Sequence, residues 1–432
     1  MSLAKIWYSV CMSGDWYRLD NVAKVFLAAH NKRDPRTLRV CATMDEDINP
    51  EALQAALNRT ILARTEVQVR IRRGFFWHYM EQTDFQPVVV EENDRPCPIL
   101  YGKNYRGVLH YKVSYYRNRI NVDMFHAIAD GNGALAFLKI LVLNYLRELH
   151  PGEFDEVSLE GVSSVDERYR NSYAQFYEDA GNVIIPKSIL NKKKKAYHIQ
   201  SRKLPYNQLQ FFEVHLEADK LLTRAKALGV SMTSFLGAEL MMAINRDRAT
   251  MLRSKPITIS LPVNLRNYYP SDTMRNFFNN VDVTHTFTGD ENIEMLAAEF
   301  DEKLKASLTP ELIRSQMNRY ESIERLIISR MAPLFIKQPV VRGFSKKETS
   351  RVTAVLSNLG SQKLPDKMKK YVTGFSDYCS TENLFITATT YDNDLVLGIA
   401  SAYSATGVIK KFIDTLRSDD ADIVVYTTEV IR

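Results

Sequence analysis

The chain has 432 residues, 45% of them hydrophobic and 25% charged, and carries a formal net charge of +6. That length exceeds one ordinary core, so two domains of roughly 200 residues each are expected. So small a charge surplus gives no argument for nucleic acid, which calls for a concentrated basic face.

The first residues, MSLAKIWYSVCMSGDWYRLD, hold no continuous apolar segment of the kind a secretory signal needs. The next stretch, DINPEALQAALNRTILARTEVQVRI, reads as a helix leading into a strand. Asn49 suits the N-cap and Pro50 the first helical position. Ala52, Leu53, Ala56, Leu57 and Ile61 give the apolar spacing of an amphipathic helix. VQVRIRRGFFWHYME then alternates like a strand. Residues 107–126 predict a hairpin turning near Arg117 and Asn118, with Ile120, Val122, Met124 and His126 on one face. The apolar run from Ala134 to Leu146 is broken by Lys139 and Asn144 and is too short to span a bilayer.

From Pro151 to Pro205 the pattern degrades, which places an interdomain connection with short helices there and a boundary near residue 205. The second half opens with a strand, QFFEVHL, and two helices, DKLLTRAKALG and SMTSFLGAELMMAI, the first closed by Gly229 and the second capped by Ser231. A buried strand, PITISLPV, carries the polar tail NLRNYYPSDTMRNFFNNVDV. Residues 291–338 are helical in character. The strand RVTAVLSNLG, a hairpin turning at Asp392 and Asn393, a helix over Lys410 to Leu416 and a last strand, ADIVVYTT, complete the chain. The class is α/β (α+β).

Cys11, Cys41, Cys97 and Cys379 lie far apart with no CxxC pair, which argues against a zinc site or a disulfide framework and fits a reducing compartment. His78, His110, His215 and His285 show no metal-binding spacing, so no metal is expected. A cytoplasmic protein without a membrane span follows. The usual motifs of nucleotide hydrolysis, dinucleotide redox chemistry and serine hydrolases are missing.

His126 is the first candidate for chemistry. A neutral imidazole takes a proton from an alcohol or amine and passes it to a leaving thiolate, with a pKa near working pH. The competing reading is a core histidine at a strand end. Gly131 and Gly133 would permit a turn that a side chain blocks. Asp130 could orient His126, but an ion pair that fixes the loop is favoured, because a buried carboxylate needs a partner. Arg266 is the candidate partner and Arg275 its competitor. Ser357 and Asn358 end a strand where hydroxyl and amide groups could donate to an oxyanion, although SNLG also makes a plain turn. The lysines at 192–195 read as a solvated linker. Attraction of cofactor phosphates is the lesser reading, and a membrane-surface role would rest on this run alone. Phe75, Phe76, Trp77 and Tyr79 read as core or interface packing.

With these residues assembled, the chain resembles the coenzyme A-dependent acyltransferase superfamily with the chloramphenicol acetyltransferase fold, which includes alcohol acetyltransferases, polyketide-associated acyltransferases and condensation domains. The hallmark HxxxDG is His126-Ala-Ile-Ala-Asp130-Gly131, and Phe125 replaces the first of the two histidines usual in condensation domains. The likeness runs in order from DINPEALQAALNRTILART through the hallmark to PVNLR, RNFFNNV and SNLG. It is nearest to bacterial alcohol acetyltransferases. The DFGWG of the plant enzymes is absent, which argues against that subgroup.

The resemblance implies two chloramphenicol acetyltransferase-like domains, 1–205 with HxxxDG and 206–432 with PVNLR and SNLG. Each would be a mixed sheet flanked by helices, with a tunnel between them. It implies His126 as general base, Asp130 paired with Arg266, Gly131 at the turn, Ser357 with Asn358 at the oxyanion, and Asn280 in the cleft. The expected activity is acyl transfer, with acetyl favoured, from acyl-coenzyme A to an alcohol hydroxyl without a metal. Two alternatives stand beside it. One is a condensation-type transferase using an acyl carrier protein in trans or an amine acceptor. The other is a catalytically inactive binding or scaffold protein.

Overall fold

Local sequence dictates where most elements begin and end, and two large sheets collect most of the strands, beside a three-stranded sheet of Trp16–Arg18, His78–Gln82 and Val69–Arg73. A computed structural model describes residues 16–102, 108–159, 171–177, 195–325, 332–417 and 423–428. The helix Pro50–Ala63 starts where expected, with the Asn49 side chain accepting from the Ala52 N–H at 2.9 Å. The strands Tyr111–Tyr116 and Arg119–Phe125 form the expected hairpin, with Arg117 in the left-handed region at its turn. The helices Ala218–Ala227 and Met232–Asp247 follow their signals, and Ser231 Oγ caps the second at Ser234 N–H, 3.1 Å away.

The first sheet has five strands in the order Val372–Cys379, Thr37–Met44, Arg119–Phe125, Tyr111–Tyr116, Val90–Glu91. The helices Pro50–Ala63 and Gly131–Leu149 pack on each other, and their apolar faces join this sheet in one core. The second sheet has seven strands in the order Phe278–His285, Ile257–Asn264, Ala354–Gln362, Leu384–Tyr391, Asp394–Ser401, Gln210–Glu217, Val424–Thr427. The helices Met232–Asp247, Ile293–Ser307 and Gly407–Leu416 close its core. Both sheets mix parallel with antiparallel pairing: Ala354–Gln362 runs parallel to Leu384–Tyr391, and Val90–Glu91 parallel to Tyr111–Tyr116. Among the described residues no single helix is long and apolar enough to cross a membrane.

The strand Val372–Cys379 comes from the second half of the chain, yet it pairs antiparallel with Thr37–Met44 at the edge of the first sheet. The two sheets are therefore not confined to opposite sides of residue 205, and this strand ties them together. A buried charged knot lies beside it. Arg119 of the first sheet donates to Glu213 of the second at 3.2 Å, Tyr378 donates to the same carboxylate, and His215 stands 3.1 Å from it and 2.8 Å from Asp394.

VQVRIRRGFFWHYME is not one strand. It folds into the antiparallel pair Val69–Arg73 and His78–Gln82, because Gly74 N–H donates to Trp77 O at 2.8 Å and closes a turn. Phe75 and Phe76 at that turn are exposed rather than packed in a core. Of the basic run, Lys192 to Lys194 lie outside the described residues, as does Cys11.

Candidate active site

A cavity of about 540 Å³ lies between the sheets. Leu38, Val40 and Tyr378 line it from the first sheet, and Pro262, Ser357 and Phe385 from the second. His126 stands on its wall, one residue past the end of the strand Arg119–Phe125.

The imidazole is fixed by contacts that lie far away in sequence. Asn276 Nδ2 donates to the backbone oxygen of His126 at 2.9 Å, so the amide oxygen Oδ1 must face the ring, where it lies 3.0 Å from Nδ1. An amide oxygen only accepts, so Nδ1 carries the proton and Nε2 keeps a free lone pair. Among the described residues Nε2 has no hydrogen-bond partner. Phe26 covers the ring at a centroid distance of 4.2 Å, and the His126 N–H donates to Arg36 O at 2.8 Å. Burial pushes the imidazole pKa below its usual value, and the negative charge of Asp130 opposes that shift. The neutral ring is the form a general base requires.

Asp130 does not touch the imidazole. Its Oδ1 caps the helix Gly131–Leu149 at Gly133 N–H, 2.8 Å away. Its Oδ2 accepts from Arg266 Nη1 at 2.8 Å and from Phe277 N–H at 2.9 Å. Arg266 is fully engaged, since its Nη2 donates to Thr273 O and Arg275 O, both at 2.8 Å, and its Nε to Thr273 O at 3.2 Å. Arg275 instead lies beside Asp20, Nε to Oδ2 3.7 Å, and Asp20 caps the helix Asn21–Ala29 that carries Phe26. The two aspartates thus fasten residues 264–277 to both helices that flank His126. Asn276 is carried on that fastened segment.

The expectation that Gly131 and Gly133 serve a tight turn is corrected by the backbone. Neither has a positive φ. A Cβ on Gly133 would lie 2.0 Å from Met274 O, and one on Gly131 would lie 3.2 Å from the side chain of Leu359. Close approach to backbone, rather than turn geometry, requires glycine at 133; at 131 a Cβ would meet only the end of the Leu359 side chain.

Ser357 lies on the interior strand Ala354–Gln362 and lines the cavity. Asn358 also lines it, but its amide is committed elsewhere. Nδ2 donates to Thr233 Oγ1 at 3.0 Å, and Oδ1 accepts from Gly360 N–H at 2.8 Å, across a bulge. Asn280 is exposed on the strand Phe278–His285 and lines the same cavity. The structure therefore brings His126, Asp130, Gly131, Ser357, Asn358 and Asn280 to one cavity, with Arg266 behind Asp130. Sequence reasoning missed Asn276, Phe26 and Arg36. Only Asn276 had a signal, since it falls within RNFFNNV.

Two further groups in the cavity bear on its chemistry. Burial pushes the Cys379 thiol well above its usual value, so it holds no thiolate at neutral pH. Burial also pushes the Asp377 carboxyl up to about 7, against the Thr389 hydroxyl that donates to it at 2.5 Å. Among the described residues no group of three or more His, Cys, Asp or Glu side chains could hold a metal ion.

No family model matches the chain, and no curated protein matches it. Solved structures do. Polyketide synthase associated protein 5 from Mycobacterium tuberculosis superposes with a TM-score of 0.63 at 11% identity, covering 93% of this chain and 97% of that one. The trichothecene 15-O-acetyltransferase of Fusarium sporotrichioides gives 0.63 at 10% identity, covering 93% of each. The starter condensation domain of rhizomide synthetase, in complex with C8-CoA and Leu-SNAC, gives 0.61 at 12% identity, covering 96% and 95%. The fold is that of the coenzyme A-dependent acyltransferases and condensation domains. At these identities the likeness speaks for architecture over almost the whole chain, and the chemistry rests on the residues described above.

Proposed function

We propose that this chain is an acyltransferase that moves an acyl group, with acetyl favoured, from acyl-coenzyme A to an alcohol hydroxyl. The observation that carries the reading is the Asn276 clamp, which leaves His126 Nε2 as an unpaired base on the wall of a cavity between two sheets. Nε2 takes the hydroxyl proton as the oxygen attacks the thioester carbonyl. The carbonyl electrons move onto oxygen, and the Ser357 hydroxyl donates to that oxyanion. When the tetrahedral intermediate collapses, the carbon–sulfur bond breaks and the imidazolium returns its proton to the thiolate. General-base assistance of this kind contributes about a hundred- to ten-thousandfold in rate.

Asp130, Gly131 and Arg266 serve this site by holding its loops. Asn358, committed to Thr233 and Gly360, shapes the strand bulge beside Ser357. Asn280 faces the cavity as a contact for one of the substrates. A cytoplasmic location belongs to the same reading.

A second reading keeps the chemistry and changes the substrates, with a carrier-bound acyl donor or an amine acceptor. It is favoured by the likeness to a condensation domain solved with both C8-CoA and Leu-SNAC. Thiol release from acetyl-, butyryl- and longer acyl-coenzyme A, followed with a panel of alcohols and amines, separates the two. Alcohol-dependent release supports the first reading. Amine-dependent release, or release only from a carrier-bound donor, replaces it with the second. Ligand binding without any thiol release would leave a non-catalytic binding protein.

A further inference from the structure

The helix Leu334–Thr349 is turned inside out relative to an ordinary surface helix. Among its sixteen residues only Leu334 is buried. It is nevertheless held firmly in place: Leu334 N–H donates to Phe75 O at 2.9 Å, Lys337 Nζ to Phe76 O at 3.0 Å, and Arg342 Nε to Ala28 O at 2.9 Å. Polar groups make these attachments, and the apolar side chains point outward. Phe335 is 62% exposed, Ile336 50%, Val340 67% and Phe344 45%, and the last three follow the i, i+4, i+8 spacing of one helix face. Phe75 and Phe76 of the neighbouring hairpin tip extend the patch, with the rings of Phe75 and Phe335 6.4 Å apart. Exposed apolar side chains gathered on one helix face beside an aromatic hairpin tip are the kind of surface that marks an interaction site.

Its rim is basic. The helix carries Lys337, Arg342, Lys346 and Lys347 against the single acid Glu348, and Glu348 is paired with Arg351. Lys24 and Lys337 both lie over the Trp77 ring, at 5.7 and 3.5 Å from its centroid. Exposed phenylalanine and isoleucine bordered by lysine and arginine match the boundary of an anionic bilayer, where apolar rings enter the acyl region and cations meet phosphate headgroups. Phe344, Ser345, Glu348 and Thr349, at the far end of the same helix, line the cavity that holds His126.

We propose that the face formed by the helix Leu334–Thr349 and the hairpin tip Phe75–Phe76 docks on an anionic phospholipid surface. The docking itself does not depend on the acyl-transfer reading, because it is tested without any acyl donor. Full-length protein is sedimented with vesicles of phosphatidylcholine, with and without phosphatidylglycerol. Binding is expected to the vesicles containing phosphatidylglycerol and to weaken as salt is raised. The pair of changes Phe75→Ser and Phe335→Ser should weaken it by about tenfold per ring, with an unchanged melting temperature. Lys346→Glu with Lys347→Glu should abolish the preference for phosphatidylglycerol.

The proposal is overturned by failure to bind either vesicle, or by binding that the phenylalanine changes leave intact. It is also overturned if wild-type protein is a dimer that these changes dissociate, since a second copy of the chain then covers the face.

Discussion

His126 is held through its ring by Asn276 and Phe26, through its carbonyl by Asn276 and through its N–H by Arg36. The Ser357 hydroxyl, which meets the same cavity from the other sheet, has no hydrogen-bond partner among the described residues. In the proposed mechanism the group that must hold one tautomer through proton transfer is the one fixed everywhere except at Nε2. The Ser357 hydroxyl, proposed to meet charge only in the transition state, is left free to turn toward it. The clamp at the first site comes from Asn276, 150 positions away, on a segment that two buried aspartate–arginine pairs hold in place.

Breaking the fixed side should cost most. Arg266→Met strands the Asp130 carboxylate in a buried site, and about 3–5 kcal/mol of stability should be lost, read by denaturant unfolding. A loss no larger than that of an exposed pair would mean that Asp130 finds another partner. On the free side, Ser357→Ala should lower kcat by about a hundred- to a thousandfold if its hydroxyl meets the oxyanion, with KM and melting temperature little changed. Asn358→Ala provides the contrast: its amide bonds the fold, so about 0.5–1.5 kcal/mol of stability should go while kcat stays within a few-fold. The reverse pattern would move the oxyanion donor from Ser357 to Asn358.

The clamp itself is tested by Asn276→Ala. Losing it should lower kcat by about five- to hundredfold, the equivalent of about 1–3 kcal/mol. A pH profile distinguishes positioning from general damage. The His126 pKa is depressed by burial, and a base works unprotonated, so the acidic limb of kcat/KM in wild type should fall below 6.5. With Asn276→Ala that limb should move. An unchanged limb with a uniformly lower rate would reduce Asn276 to a structural residue.

The smallest effect concerns the knot that joins the two sheets. His215, between Glu213 and Asp394, has its pKa raised from 6.5 to about 9. A raised folded-state value stabilises the fold fully below the unfolded value and is lost as pH climbs through the folded one. The melting temperature should therefore decline between about pH 6.5 and 9, and His215→Gln should flatten that slope. A slope identical in the variant would place the titration elsewhere.

Much of this was legible in the sequence because it is local. Asn49 and Ser231 announce helix starts, and the spacing of HxxxDG announces a strand end, a cap and a helix. That Asp130 needs a partner follows from the burial of its carboxylate, but the residues leave Arg266 and Arg275 in competition; the family resemblance points to Arg266, which the structure pairs with Asp130, and Arg275 belongs to Asp20. What escaped is non-local. Nothing around Asn276 says that its amide will meet a histidine 150 residues earlier. Nothing in YVTGFSDYCS says that this strand leaves its own half for the edge of the first sheet, since edge choice depends on what the other strands leave unpaired. Gly133 looked like a turn residue, whereas its role is set by Met274 O, a neighbour that only the folded chain supplies.

The central claim is that His126 Nε2 is the working base. Acceptor-dependent thiol release from acyl-coenzyme A, measured beside the melting temperature for wild type and His126→Ala, tests it most directly. The account predicts a loss of about a hundred- to ten-thousandfold in the variant with the melting temperature held. Equal release with and without the imidazole would contradict it.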